Sequence, residues 1–176
     1  MAKYAIVFFP QTNTNDVQEF RKKYDPKSDL IAPHITLVFP FPAEIDEGNV
    51  LSEIESKILN HRGFQVRLEG VHLDPSDGFL HFLVKEGREK VVSLHNDLYS
   101  GLLNDYYRKD LKYVPHMTLG VFNELHEDFD ATKYNKAIKD LENTSLDTTF
   151  MFDNVNLIKI EDQKSPRLMI KKFLLK

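Results

Sequence analysis

Apolar and polar positions recur along this chain in two rhythms, one of period two and one of helical spacing. Tyr4 to Phe9 is an unbroken apolar run closed by Pro10, which predicts a buried strand. Val17, Phe20 and Tyr24 then mark one stripe of a short helix, with Asn15 or Asp16 available as its cap. Ile35 to Phe39 predicts a second strand, entered through Pro33. Val50, Leu51, Ile54 and Ile58 return to helical spacing, and Asp46 and Glu47 suit the positive end of that helix dipole. Phe64, Val66 and Leu68 alternate with Gln65 and Arg67, the pattern of a half-buried strand. The DPSDG segment at 74–78 is turn chemistry and leads into a strand over Phe79 to Val84. The stripe Val91, Leu94, Leu98, Leu102 predicts the longest helix, from Arg88 to Arg108. Val114 to Phe122 reads as a strand entered through Pro115, followed by a helix around Tyr134, Ile138 and Leu141 and strands near 148–160 and 167–175.

In that order the elements repeat. Strand 4–9, helix 15–24, strand 34–39, helix 47–60 and strand 64–73 form a first round. Strand 79–84, helix 88–107, strand 116–122, helix 131–142 and strand 148–160 form a second, with a closing strand at the C-terminus. The third elements read APHITLVFPF and VPHMTLGVFN, and short gaps bring Gly70-Val71-His72-Leu73 opposite Asn154-Val155-Asn156-Leu157. The expected architecture is α+β: two pseudo-symmetric lobes with mainly antiparallel sheets facing a central cleft, helices outside, and residues 1–176 forming one domain of intertwined lobes.

Composition narrows the chemistry. The chain has 176 residues, 41% hydrophobic and 28% charged, enough for a sizeable core without covalent staples. It contains no Cys, which excludes disulfide frameworks, thiolate metal sites and cysteine nucleophiles. A net charge of −4 argues against wrapping long double-stranded nucleic acid and leaves room for a short oligonucleotide or a small phosphate ester. The N-terminal apolar run is too short for a signal peptide, and no stretch approaches the roughly 20 apolar residues of a membrane span. The expectation is a cytoplasmic monomer, with the Asn143-Thr144-Ser145 triplet carrying no glycan. There are seven His.

Two of those seven stand in the same pattern. Pro33-His34-Ile35-Thr36-Leu37 and Pro115-His116-Met117-Thr118-Leu119 both fit Pro-His-x-Thr-Leu, at matching places of the repeat. Strand side chains alternate, so His34 and Thr36 share one face while Ile35 and Leu37 point to the other; His116 and Thr118 do the same against Met117 and Leu119. Cleaving a phosphodiester requires one group to take a proton from the attacking oxygen and another to give one to the leaving oxygen. Two imidazoles facing across a cleft suit that task near neutral pH. A hydroxyl two residues on can donate to a non-bridging phosphate oxygen as charge builds there. One His-x-Thr says little, since a lone strand His is usually structural. Duplication alone, however, does not explain why both polar pairs stay intact while their neighbours diverge (Ile35 against Met117, Val38 against Gly120).

These paired strands and duplicated lobes resemble the 2H phosphoesterase superfamily, which includes RNA 2′,3′-cyclic phosphodiesterases and 2′-5′ RNA ligase-like proteins. YAIVFFP, RKKYDP at 21–26 and APHITL look closest to its YjcG-like branch. The resemblance implies that His34 and His116 act as an acid–base pair and that Thr36 and Thr118 hold the phosphate. It implies a substrate that is a 2′,3′-cyclic phosphate or a 2′-5′-linked nucleotide end. A non-catalytic nucleotide-binding module and a 2′-5′ RNA ligase remain as alternatives at the same site.

The other features admit plainer readings. His81 shares a face with Phe79 and Leu83; a sheet or core histidine is its commoner fate, and a place in the cleft is the alternative. His72 lies beside the 74–78 turn, His61 ends a helix, and His95 and His126 read as exposed. None has metal-ligand spacing, and no metal or cofactor is expected. Arg21, Lys22 and Lys23 read as a solvated helix face, with a phosphate landing site as the alternative. Among Phe8, Phe9, Phe39 and Phe41, most belong to the core and any that reaches the cleft is placed to stack on a base.

Overall fold

The computed structural model describes residues 1–11, 14–74, 78–123, 130–143, 146 and 148–176. The 74–78 turn and the 143–145 triplet fall partly outside them, and His126 wholly so. The elements are β1 (Lys3–Phe8), α1 (Asn15–Tyr24), β2 (Ile35–Pro42), α2 (Glu47–Ile58), β3 (Phe64–Asp74), β4 (Phe79–Glu86), α3 (Arg88–Tyr99), β5 (His116–Val121), α4 (Ala131–Glu142), β6 (Thr148–Phe152), β7 (Asn154–Ile160) and β8 (Leu168–Leu174). A short 3₁₀ turn at Asn104–Tyr106 follows α3. Among the described residues no helix is long and apolar enough to cross a membrane.

Two four-stranded antiparallel sheets result, in the orders β2-β1-β7-β8 and β5-β4-β3-β6, so the expected α+β class with paired sheets stands. Each motif strand is the edge of its sheet. The unbroken run in β1 has a simple cause, for both faces of that strand are covered. Tyr4, Ile6 and Phe8 enter the main core, while Ala5 and Val7 join Ile158 in a small cluster on the opposite face. The main core is continuous across the two sheets: the Phe8 ring stacks on Phe152 at 4.0 Å, and Phe152 on Phe64 at 4.9 Å. Each such fully buried side chain contributes on the order of 2 kcal/mol.

Three expectations change. The predicted strand 148–160 is two strands, broken at Asp153, with β6 in one sheet and β7 in the other. Asp153 makes the corner: its carbonyl accepts from Leu175 N at 2.9 Å and its carboxylate from Asn154 Nδ2 at 2.7 Å. The long helix from Arg88 ends at Tyr99, where Ser100 Oγ donates to the Asp97 carbonyl at 2.7 Å. Gly101 then passes so close to α2 that a Cβ there would lie 1.9 Å from Glu53 Oε1, which leaves Leu102 exposed and buries Leu103. Finally, the rounds of the repeat are not the sheets. The third strand of the first round, β3, pairs with β4, while β7 from the second round pairs with β1.

Helices are exchanged in the same way: α1 packs on β5 and α3 on β2. Gly120 permits the first of these contacts, since a Cβ there would meet Tyr24 Cβ and the Phe122 ring at 3.0 Å. The Val38/Gly120 divergence thus has a packing cause.

Candidate active site

Both motifs begin with the same local device. Proline holds the residue before it extended and fixes its own φ, so the carbonyl two residues before each His is set in place. His34 Nδ1 donates to the Ala32 carbonyl at 2.9 Å, and His116 Nδ1 to the Val114 carbonyl at 2.7 Å. A carbonyl only accepts, so Nδ1 carries the hydrogen in each ring. The basic lone pair of the neutral imidazole is therefore on Nε2. Ile35 and Leu37, like Met117 and Leu119, are buried in the core, while His34, Thr36, His116 and Thr118 are half-buried on the opposite faces. The alternation read from the sequence is the one observed.

The two motif strands approach each other through the segment that feeds β5. Tyr113 Oη donates to the Thr36 carbonyl at 2.7 Å, which ties the approach to His116 directly to the strand bearing His34. Its ring lies flat on His95, 3.6 Å between centroids and 1° between planes. His95 Nδ1 in turn donates to the Leu37 carbonyl at 2.6 Å, and Phe39 N donates to Tyr99 Oη at 3.0 Å. The open edge of β2 is thus closed by side chains of α3 and the β5 approach. This removes unpaired backbone groups that would otherwise template aggregation. His95 is not the exposed residue expected: it is 2% accessible, because the exchanged helix packs it against β2. Burial lowers its pKa, opposed by the bond to Leu37, and burial raises those of Tyr99 and Tyr113.

His34 sits beside the Phe9 ring, 6.1 Å between centroids. Its pKa falls from 6.5 to about 4, chiefly through burial; the Ala32 bond and the Asp25 charge oppose the fall, while the charges of Arg21 and His116 add to it. At neutral pH this ring is an uncharged base. His116 has different company: the His81 ring stacks on it, 3.6 Å between centroids and 17° between planes. His81 therefore lies on the same sheet face as His116, half-buried and against its ring. Strand alternation placed it on the right face, and only the pairing of β4 with β5 put it beside His116.

Arg21 is neither a solvated cation nor a phosphate site. It is 1% accessible and bonds Asp25 Oδ2 through Nε at 3.0 Å and Nη2 at 2.7 Å, with Nη1 on the Ile31 carbonyl at 3.0 Å. With Gln18 Nε2 on the Ser28 carbonyl at 3.0 Å, this latch shapes the loop that delivers Pro33 and His34. Lys22 and Lys23 are exposed as expected. His61 bonds Asp97 at 2.7 Å between α2 and α3, and His72 is exposed on β3. Of the phenylalanines, Phe8 and Phe41 are core, Phe39 meets Tyr113 edge-on, and Phe9 alone lies against His34. Phe9 and Pro33 also open onto a cavity of about 310 Å³, lined further by Ile31, Ile158, Arg167 and Met169. Among the described residues no group of three or more His, Asp or Glu side chains is arranged to hold a metal ion.

The chain is similar in sequence and in fold to known proteins. A "Putative phosphoesterase" of Bacillus licheniformis is 32% identical over 126 residues, which span 66% of this chain and 69% of the relative. Another, of Geobacillus thermodenitrificans, is 33% identical over 124 residues, spanning 67% and 68%. The fold is that of Escherichia coli LigT crystallised with 3′-AMP, with a TM-score of 0.66 at 14% identity over 99% of this chain and 98% of LigT. It is also that of TT0787 of Thermus thermophilus, with a TM-score of 0.68 at 16% identity over 98% and 97%. A family model described as the 2′-5′ RNA ligase superfamily matches residues 9–164, a span that holds both Pro-His-x-Thr-Leu strands. By that match across most of its length, the chain belongs to the 2′-5′ RNA ligase superfamily.

Proposed function

We propose that this protein is a phosphoesterase that opens cyclic or 2′-5′ phosphodiester bonds of nucleotides or RNA ends by two-histidine acid–base catalysis, with no metal or cofactor. The observation that carries the reading is the matched pair of Nδ1–carbonyl bonds on His34 and His116, each leaving Nε2 as the proton-transferring atom. His34, held neutral, takes the proton from water or a ribose hydroxyl as that oxygen attacks phosphorus. The bond from phosphorus to the leaving oxygen breaks, and His116 in its protonated form supplies that oxygen with a proton. Thr36 and Thr118 donate to the non-bridging oxygens, where charge accumulates. The cavity beside Phe9, apolar with Arg167 at its wall, suits the nucleoside attached to the reacting phosphate. The relatives' name and the 3′-AMP bound to LigT support a small nucleotide as the ligand. In this reading the chain acts as one domain of two intertwined lobes, since each contributes one His and one Thr.

The test is turnover of 2′,3′-cyclic AMP and a 2′-5′-linked dinucleotide in excess EDTA. The expected result is undiminished wild-type activity and a loss of about 10²- to 10⁴-fold in His34→Ala and in His116→Ala. Turnover by either variant at the wild-type rate overturns the two-histidine scheme, and abolition by EDTA overturns its metal independence.

A further inference from the structure

The internal repeat supplies its own control. In one sheet the residue paired with Thr36 is Val7, buried and apolar; in the other the residue paired with Thr118 is His81. His81 is half-buried, on the same sheet face as His116, and lies flat on its ring at 3.6 Å. Its other cross-strand neighbour is the exposed His72 of β3. So the lobe carrying His116 has an imidazole where the lobe carrying His34 has a methyl-bearing side chain. Two rings that coordinate one metal converge through their nitrogens, whereas these two meet face to face.

We propose that His81 is a positioning residue for His116, fixing the plane of its ring and sharing a single proton with it. This rests on the phosphoesterase reading above and adds a third histidine to the site. A stacked neighbour blocks rotation of the His116 ring, already pinned at Nδ1 by Val114, and so aims Nε2. When one ring is protonated, the other offers its π face to the cation. A second proton would place two like charges within about 4 Å, which is resisted, so the pair fills in two separate steps. Beside this pair in the sheet stand His72 from β3 and Thr118 from β5, and the charge of His116 acts on His34. Farther along β3 and β4 lies Arg67, paired with Glu69 and Glu86. The single retained proton gives this lobe an acid, while His34 has the apolar Phe9 ring beside it and burial keeps it neutral, suited to the base.

The experiment is an NMR titration of the imidazole resonances of the full chain, wild type beside His81→Phe and His81→Ala, with kcat and KM for 2′,3′-cyclic AMP measured against pH. Phe keeps a flat ring and cannot titrate; Ala removes both. In the wild type the His116 resonances should move in two steps that the His81 resonances share. In His81→Phe His116 should move in one. Turnover should fall about tenfold in His81→Phe and about 10²-fold in His81→Ala, with KM within about threefold of wild type. The alkaline limb of kcat should move to lower pH in the Ala variant. One-step titration of His116 in the wild type, or an unshifted pH profile in the folded Ala variant, overturns the proposal. Because the titration needs no substrate, two-step titration in a protein that turns over neither nucleotide would sink the phosphoesterase reading and leave the histidine pair standing. One-step titration with full turnover would do the reverse.

Discussion

His34 and His116 are held by the same frame and kept in unlike company. Each follows a proline, donates from Nδ1 to the carbonyl two residues back, and shares a strand face with a Thr. Beside His34 is Phe9, Val7 pairs with Thr36 two residues on, and burial with the charge of Arg21 presses the His34 pKa down to about 4. Around His116 is a stacked imidazole. The difference teaches that the repeat copies the hydrogen-bonded frame of each ring, while the neighbours brought in by strand pairing set the charge and packing around it. It is also an asymmetry that experiment can break.

The largest expected effect separates acid from base by the leaving group. A 4-nitrophenolate departs without needing a proton, so with bis(4-nitrophenyl) phosphate the His116→Ala variant should return to within about tenfold of wild type. His34→Ala should stay down by about 10²-fold or more. Equal rescue of the two variants would mean that the lobes are chemically interchangeable.

A smaller effect reads His34 through stability. Its folded pKa of about 4 lies below the ordinary 6.5, so the unfolded chain binds this proton more readily than the folded one. Its contribution is therefore complete above about pH 6.5 and is lost as pH falls toward 4, a change on the order of 1–3 kcal/mol. Urea unfolding at pH 7, 5 and 4 should show His34→Asn losing less stability across that window than wild type. Parallel curves would show that His34 is as solvated in the native protein as in the unfolded one.

The smallest effect tests the tie between the lobes. Tyr113→Phe keeps the stack on His95 and removes the donor to the Thr36 carbonyl, at a cost of about 1 kcal/mol in unfolding free energy. If that hydroxyl also sets the spacing of the motif strands, kcat should fall several-fold with KM little changed. An unchanged kcat would leave Tyr113 a purely structural brace.

Much of this was legible from residue order. Apolar spacing located four helices and nearly every strand, and period-two alternation put His34, Thr36, His116 and Thr118 on the faces where they are found. What escaped was every feature made by long-range pairing. A run of β-prone residues over 148–160 does not announce that Asp153 sends its halves to different sheets. His95 sits on a helix stripe whose covering surface, β2, is more than fifty residues away, and nothing local to it signals burial. Arg21 looked like one of three basic neighbours because the Asp25 and Ile31 groups that hold it are collected only when the loop closes.

The sequence by itself determined the repeated frame: proline, imidazole, hydroxyl and apolar backing at fixed offsets, which rest on covalent geometry and strand alternation. Seven histidines reduced to two by that logic alone. Tertiary structure decided the rest, including the exchange of third strands and helices between the halves, the neutral setting of His34 and the place of His81 on His116. The physical reason is that face and spacing are local properties of a strand, whereas burial, charge and ring stacking belong to whichever distant segment packs against it.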